Sequence, residues 1–560
     1  MSVVTTRPET QNHDPVSIEI IQNSLRALTD EMFATMQKTA MSSIIYEVLD
    51  FGVSLMDRNG QLACAGAGIP GFVGMLSPCV NAVINKFNKP GDINPGDLFI
   101  SNIPHYGAAS HLNDVVLVLP AFEGDVLVGW LANKAHWIDI GGAVPGSVSL
   151  NSATLYQEGL QIPCVKIIEA GQTNAALLEV IACNSRTSEV LTGDFWAGVS
   201  SLRSGEKRLL SLVKKYGLDT VLYAIDNYID LGERKIRAAM ENLPRGSYEA
   251  SEFLTDDLEI KARITIDANF TVDLRGNPPQ QGNSFNSTYD ATMIAVQMIF
   301  KALTQPDLFA NAGSFRPLRL LVDEDSMFNA KYPSATGVYY EVGVALFDLL
   351  WKALAPAGKM RLTAGHYASV CGTFLSGKNP HSGRIQSIIE PQLGGWGACS
   401  DRDGQSALYT GYHGDTLNVP VEVAEQRNGV LIDQLCLNDC GGGEGKYTGG
   451  KGIKLDYRII GDGWSLTMAY GKSTVKPWSI DGGRPGSNNY VDIVRSRGAV
   501  ERYSSCTELP LERGDVVRVI TANGGGYGDP AERPKEAVLE DLKNGYINEQ
   551  QARDIYGISL

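Results

Sequence analysis

The sequence predicts an α+β fold of several domains, with an N-terminal α/β part and a Gly-rich strand-and-loop C-terminal part. Its 560 residues suffice for three or four domains of roughly 150 residues each. Helical and strand periodicities both recur along it. Glycine supplies 60 residues, many in clusters such as Gly441-Gly442-Gly443 and Gly524-Gly525-Gly526, which implies tight turns and close backbone approaches.

From Ser17 to Met41 the residues Ile18, Ile21, Leu25, Leu28, Met32 and Met36 recur at helical spacing, and Asp14-Pro15 supplies a start signal. Strands follow at Val53–Leu55, leading into the Asp57-Arg58-Asn59-Gly60 turn, then at Val115–Leu119 and Val126–Ala132. Gly193–Tyr216 and Leu218–Leu243 read as helices. After Pro244-Arg245-Gly246 the texture changes, and Phe253–Asp273 alternates apolar and polar residues as paired strands do. Helices return at Thr292–Leu303 and Val342–Leu354. Gly394–Asp529 has turns at short intervals, and Lys535–Tyr556 forms a short charged helical tail. The expected divisions are an N-terminal metal-binding domain at 1–245, a middle α+β region at 246–393, a Gly-rich β region at 394–534 and a helical tail at 535–560.

Hydrophobic residues at 43% and charged residues at 20% exclude disorder, collagen and coiled coil. Lys+Arg number 48 against 63 Asp+Glu, a formal charge of −15 that repels phosphate backbones and anionic lipid. Neither nucleic acid nor membrane is expected as a partner. No run approaches the roughly 18 apolar residues of a membrane span. Met1 to Pro15 lacks the apolar core of a signal peptide. The odd count of 9 cysteines, with no export signal, favours reduced thiols in the cytoplasm. Cys436 and Cys440 have no second pair nearby to complete a zinc site and are expected as buried small hydrophobes.

Of the 7 histidines, His13 reads as solvated, and His366, His381 and His413 as structural or surface residues in loops. His105, His111 and His136 stand out because His111 and His136 lie beside carboxylates at strand ends. Ser110-His111-Leu112-Asn113-Asp114 enters one apolar strand, and Lys134-Ala135-His136-Trp137-Ile138-Asp139 leaves the next. Neighbouring strands would bring His111, Asp114 and His136 together as two imidazoles and a carboxylate, a set suited to Zn, Mn or Fe and an activated water. Asp139 would then orient a ligand or act as a base. Spacing alone leaves open a set of hydrogen-bonded buried histidines near a glycine-rich turn.

At these residues the chain resembles the B-type subunit family of ATP-dependent hydantoinases and 5-oxoprolinases, with caprolactamase and the acetone and acetophenone carboxylases as relatives. The resemblance runs from Asp14-Pro15-Val16 and Asp50-Phe51 through Ile69-Pro70, His111 to Asp114 and His136 to Gly142. It continues through Pro145-Gly146-Ser147, Tyr156 to Leu160, Asn184 to Thr187, Gly394 to Gly397, Gly445 to Gly450 and Pro477-Trp478, and closes on Asn523 to Pro530. It implies a divalent metal, zinc or manganese, on His111, Asp114 and His136. The family's usual Asn-Asp-Pro-Tyr reads Asn102-Ile103-Pro104-His105 here, with one extra residue before His111, and Trp137 replaces a second histidine. Gly68 and Phe72 stand near the Ile-Pro element where many relatives have His, so a more apolar pocket is expected.

The chain has no G-x-x-x-x-G-K-[ST] loop, and Gly443-Glu444-Gly445-Lys446 reads as a structural turn. The resemblance agrees, because there ATP and Mg belong to a separate A-type subunit of actin-like kinase fold. It implies a heterotetramer in which the partner phosphorylates the carbonyl of a cyclic amide and this chain hydrolyses the product. Asp139 or His105 would serve as the base. The alternatives are a subunit of an ATP-dependent ketone carboxylase and a non-catalytic scaffold subunit.

Overall fold

The computed structural model describes residues 13–107, 110–255, 257–306, 309–357, 362–414 and 416–558. The polar leader, residues 1–12, lies outside the described residues. Helix α1 (Pro15–Thr39) starts where Asp14 accepts the backbone N–H groups of Val16 and Ser17 and Pro15 occupies the first turn. Its periodic residues Ile18, Ile21, Leu25, Leu28, Met32 and Met36 are all buried. They pack toward α2 (Ser188–Tyr216), where Ser201 Oγ donates to the Met32 carbonyl at 2.8 Å. α3 (Leu218–Met240) follows α2 directly.

The site rests on a seven-stranded antiparallel sheet of order β2-β1-β5-β4-β3-β6-β7. Its strands are β1 (Phe51–Met56), β2 (Leu62–Ala65), β3 (Leu98–Ser101), β4 (Asp114–Glu123), β5 (Val126–His136), β6 (Val165–Glu169) and β7 (Gln172–Thr173). The unbroken apolar run of β4 has a two-faced reason. Val115, Leu117 and Leu119 enter the main core beneath α1 and α2, whereas Val116 and Val118 pack with Leu76, Val80 and Val83 of the helix Leu76–Lys86. That helix, β3, β6 and β7 were not anticipated from periodicity; each is short or continuously apolar.

A second sheet joins Gly246–Thr255, Leu258–Ile266, Phe270–Asp273 and Leu318–Leu321, the last pair parallel. Against it lie α4 (Tyr289–Thr304) and α5 (Tyr339–Leu354). The glycine-rich remainder builds a four-stranded and a five-stranded sheet, the first containing Thr373–Lys378 and Ile385–Glu390. Here glycine serves backbone-on-backbone packing. A Cβ on Gly524 would lie 2.2 Å from the Trp396 carbonyl oxygen, and one on Gly395 would lie 2.1 Å from that of Gly450. Buried Arg533 clamps the tail by pairing with Asp403 at 2.8 Å and with Asp541 at 2.9 Å.

Cys436 and Cys440 are only partly buried, a correction to the expected buried pair. The strand Val430–Leu437 exposes much of its length, and Cys440 lines an open glycine-rich cleft. All nine cysteines are free. His13 is half-buried and stacks on Tyr223 at 4.3 Å rather than lying in solvent. Among the described residues no helix is long and apolar enough to cross a membrane.

Candidate metal centre

Strand register assembles the site. Asp114, the first residue of β4, pairs directly with His136, the last of β5. β1 flanks β5 on its other side, pairing Phe51 with Ala135, and the His136 N–H donates to the Asp50 carbonyl at 3.0 Å. Asp50, His136 and Asp114 thus line up across three adjacent strand ends. His111 sits on the turn that enters β4, where the Asp114 N–H donates to its carbonyl at 3.1 Å.

The donor atoms converge. His111 Nε2 lies 3.1 Å from Asp114 Oδ1 and 3.2 Å from His136 Nδ1, and His136 Nδ1 lies 3.4 Å from Asp114 Oδ1. Ligands about 2.0–2.1 Å from a tetrahedral zinc are about 3.3–3.4 Å apart, and an octahedral shell brings them somewhat closer. The three edges fit such a shell. His111 Nδ1 donates to the Gly337 carbonyl at 2.9 Å, so the neutral ring presents its Nε2 lone pair to the cage. Lone pairs facing one another at these distances repel unless a proton or a metal cation stands among them.

The electrostatics agree. Burial alone would push Asp114 up, but His111, Lys134 and hydrogen bonds from both histidines hold its carboxyl well below the ordinary carboxylate range. Burial opposes a proton on His111 and Asp114 favours it, with the balance upward, whereas burial pushes His136 down. Lys134 Nζ, fully buried, lies 3.4 Å from Asp114 Oδ2 and donates to Ser110 Oγ at 2.8 Å. Tyr339 donates to the same carboxylate oxygen at 3.3 Å. Asp50 Oδ2 is 4.0 Å from His136 Nδ1, and its Oδ1 is buried without a hydrogen-bond partner among the described residues. Burial, reinforced by Asp114, pushes the Asp50 carboxyl up to about 8. A carboxylate so costly to ionise in isolation suits a place beside a cation.

The cage opens on a cavity walled by the turn Pro70–Val73, the start of α5, the Gly411–His413 turn and Val370 to Pro391 of the C-terminal part. Ile69, Phe72, Phe374 and Ile389 make much of it apolar. Trp137 is instead packed in the main core. The walls also carry Tyr340, Tyr412, Glu390 and His413, so the pocket is mixed rather than simply apolar. Asp50 and His413 escaped the sequence reading as site residues; the first is revealed only by the β1–β5 pairing.

The two bases expected from sequence lie elsewhere. Asp139 Oδ1 accepts the N–H groups of Gly141 and Arg186, both at 3.0 Å. Its Oδ2 accepts Gly146 N–H at 3.0 Å and the Arg186 guanidinium at 2.9 Å. That carboxylate fastens the Gly141–Gly146 loop and does not line the cavity. His105, on the turn Pro104–Tyr106, meets Tyr332 edge-on at 5.9 Å, and both its ring nitrogens are buried without partners among the described residues. Burial pushes its imidazole down to about 4, and it too lies outside the cavity lining.

A buried set of two imidazoles and two carboxylates at the ends of three strands defines a candidate single-metal centre in an α+β protein. The chain belongs to the hydantoinase B/oxoprolinase family, whose model matches residues 14–530. It is 29% identical to the B-type subunit of a putative D-/L-hydantoinase from a Pseudomonas species, over 98% of this chain and 95% of that protein. It is 28% identical to the beta subunit of the Pseudomonas jessenii caprolactamase, over 98% of this chain and 96% of that protein. The crystal structure of that ATP-dependent caprolactamase superposes with a TM-score of 0.92, at 27% identity over 98% of this chain and 97% of that chain. An acetone carboxylase chain shares the fold at a TM-score of 0.89 and 18% identity, over 98% of this chain and 80% of that chain.

Proposed function

We propose that this chain is the metal-dependent subunit of an ATP-dependent cyclic amide hydrolase, opening a lactam, hydantoin or oxoproline ring whose carbonyl a partner subunit has phosphorylated. The observation that carries the reading is the convergence of His111, Asp114 and His136, with Asp50 beside them, on one cavity in a chain of this family. An unstrained amide opens slowly because its carbonyl is a poor electrophile and its nitrogen a poor leaving group. Phosphorylating the oxygen relieves the first difficulty. His111, Asp114 and His136 would hold the metal, zinc as first choice and manganese as second, with Asp50 completing the set. A divalent ion held there would supply water activated at a pH near 7.

The other residues bind and exclude. Burial raises the Tyr340 and Tyr412 phenols far above their usual range, so both keep their protons; their hydroxyls lack partners among the described residues and are donors for a substrate oxygen. Ile69, Phe72 and Phe374 keep bulk water out, which strengthens each polar contact inside. The relatives named as subunits support a partner; in this proposal it is an A-type ATP-binding subunit carrying ATP and Mg, and the pair forms a cytoplasmic heterotetramer.

The test is an assay of the reconstituted pair with a medium-ring lactam, 5-oxoproline, hydantoin and acetophenone, each with and without bicarbonate. ATP-dependent opening of a cyclic amide without bicarbonate is expected. Bicarbonate-dependent consumption of the ketone, with all three amides untouched, would establish the carboxylase alternative. Full activity in metal-free protein would overturn the metal-dependent reading and support a scaffold role.

A further inference from the structure

Ring opening needs a group that takes a proton from the attacking water and returns it to the ring nitrogen. The cavity wall narrows the choice. His111, Asp114 and His136 are committed to the cage, and Asp50 stands at its edge. The Tyr339 hydroxyl is already donated to Asp114 Oδ2 at 3.3 Å, and Tyr340 and Tyr412 are phenols that donate rather than accept. Glu390 is held in place by the Val419 N–H at 2.8 Å on Oε1 and by the Tyr457 hydroxyl on Oε2.

His413 differs from all of these. The Thr416 hydroxyl donates to the His413 carbonyl at 2.8 Å, so Thr416 Oγ1 must accept the His413 Nδ1 proton, at 3.0 Å. That contact fixes the tautomer and leaves Nε2 with a lone pair and, among the described residues, no hydrogen-bond partner. Burial pushes this imidazole down, and the ring lines the cavity on which the cage opens. The turn that carries the ring is also held from behind. The His413 N–H donates to the Thr410 carbonyl at 2.9 Å, Thr410 Oγ1 meets His366 Nε2 at 2.8 Å, and His366 Nδ1 meets Asp348 Oδ1 at 3.2 Å. All three of those supporting residues are buried.

We infer that His413 is the proton carrier of this site, accepting at Nε2 the proton of the attacking water and delivering it to the departing ring nitrogen. The inference rests on the proposed amide hydrolysis. As the water oxygen bonds to the phosphorylated carbon, one proton passes through His413 to the ring nitrogen. The remaining hydroxyl proton follows the same route as the carbon–nitrogen bond breaks, leaving a primary amine and an open-chain acyl phosphate. A second water then divides that acyl phosphate into carboxylate and inorganic phosphate.

The experiment compares wild type, His413→Gln and His413→Ala in the reconstituted pair on a cyclic amide that the wild type opens, alongside the visible spectrum of cobalt-loaded protein. Expected are a kcat lower by about 10²- to 10⁴-fold in His413→Gln, a KM within a few-fold and an unaltered cobalt spectrum. Added imidazole should restore part of the rate to His413→Ala. His413→Gln activity within threefold of wild type overturns the inference alone. So does a cobalt spectrum lost in step with activity, since His413 would then be a ligand or a structural support. A wild-type pair inert toward every cyclic amide overturns the proposed function and this role with it.

Discussion

Lys134 shows how tightly single residues are coupled at the cage. Its ammonium is fully buried, 3.4 Å from Asp114 Oδ2 and 4.7 Å from the centre of the Phe72 ring. Gly52, paired with Lys134 across β1 and β5, leaves the space Phe72 fills, for a Cβ there would lie 3.0 Å from Phe72 Cβ. Removing one partner of a buried pair leaves an uncompensated charge and costs about 3–5 kcal/mol. Lys134→Met is therefore expected to lower the urea midpoint markedly, and an unchanged midpoint would deny the pair any structural weight. Asp139 separates two readings in the same way. With both oxygens fastening the Gly141–Gly146 loop, Asp139→Asn should lower the thermal midpoint and leave kcat within about tenfold, whereas loss of a general base costs about 10²- to 10⁴-fold. At this scale the sequence is informative where neighbours in the chain are neighbours in space. His111 and Asp114 share one turn, and His136 ends the following strand. Asp50 and His413 were illegible as site residues because strand pairing and a distant turn bring them in.

Among the elements, β4 and β5 were readable because both are long and apolar, and their register does the chemical work of setting Asp114 against His136. The long helices α1, α2 and α3 were readable from their periodicity, although α2 begins at Ser188, earlier than its apolar spacing suggests. Short strands and the helices Leu76–Lys86 and Val421–Asn428 were not, since so few residues cannot establish a period. Glycine clustering announced close approaches without saying between what. The structure answers at Gly524, whose neighbours are backbone atoms of Trp396 and Gly397. Backbone cannot swing aside like a side chain, so Gly524→Ala should destabilise the C-terminal sheets by well over 1 kcal/mol, read as aggregation on expression or a fall in thermal midpoint. Soluble Gly524→Ala protein with the wild-type midpoint would show that these sheets tolerate spreading.

For the whole molecule, the cage lies at a junction. The first sheet supplies its donors, and α5 with the C-terminal part supplies most of the remaining wall. No phosphate-cradling loop accompanies it in the sequence, so the isolated chain is expected neither to bind ATP tightly nor to turn over substrate. Micromolar ATP binding by this chain alone, measured by calorimetry, would contradict the division of labour. The central claim is that catalysis depends on a metal held by His111, Asp114 and His136. The most direct test is elemental analysis of purified wild type, His111→Ala and Asp114→Ala, with ring opening by the reconstituted pair followed in parallel. Removing one of three protein ligands should leave a site that competes poorly with solvent. About one zinc or manganese per wild-type chain, with metal and ring opening lost together in both variants, is the predicted result; equal metal in all three proteins would contradict the account.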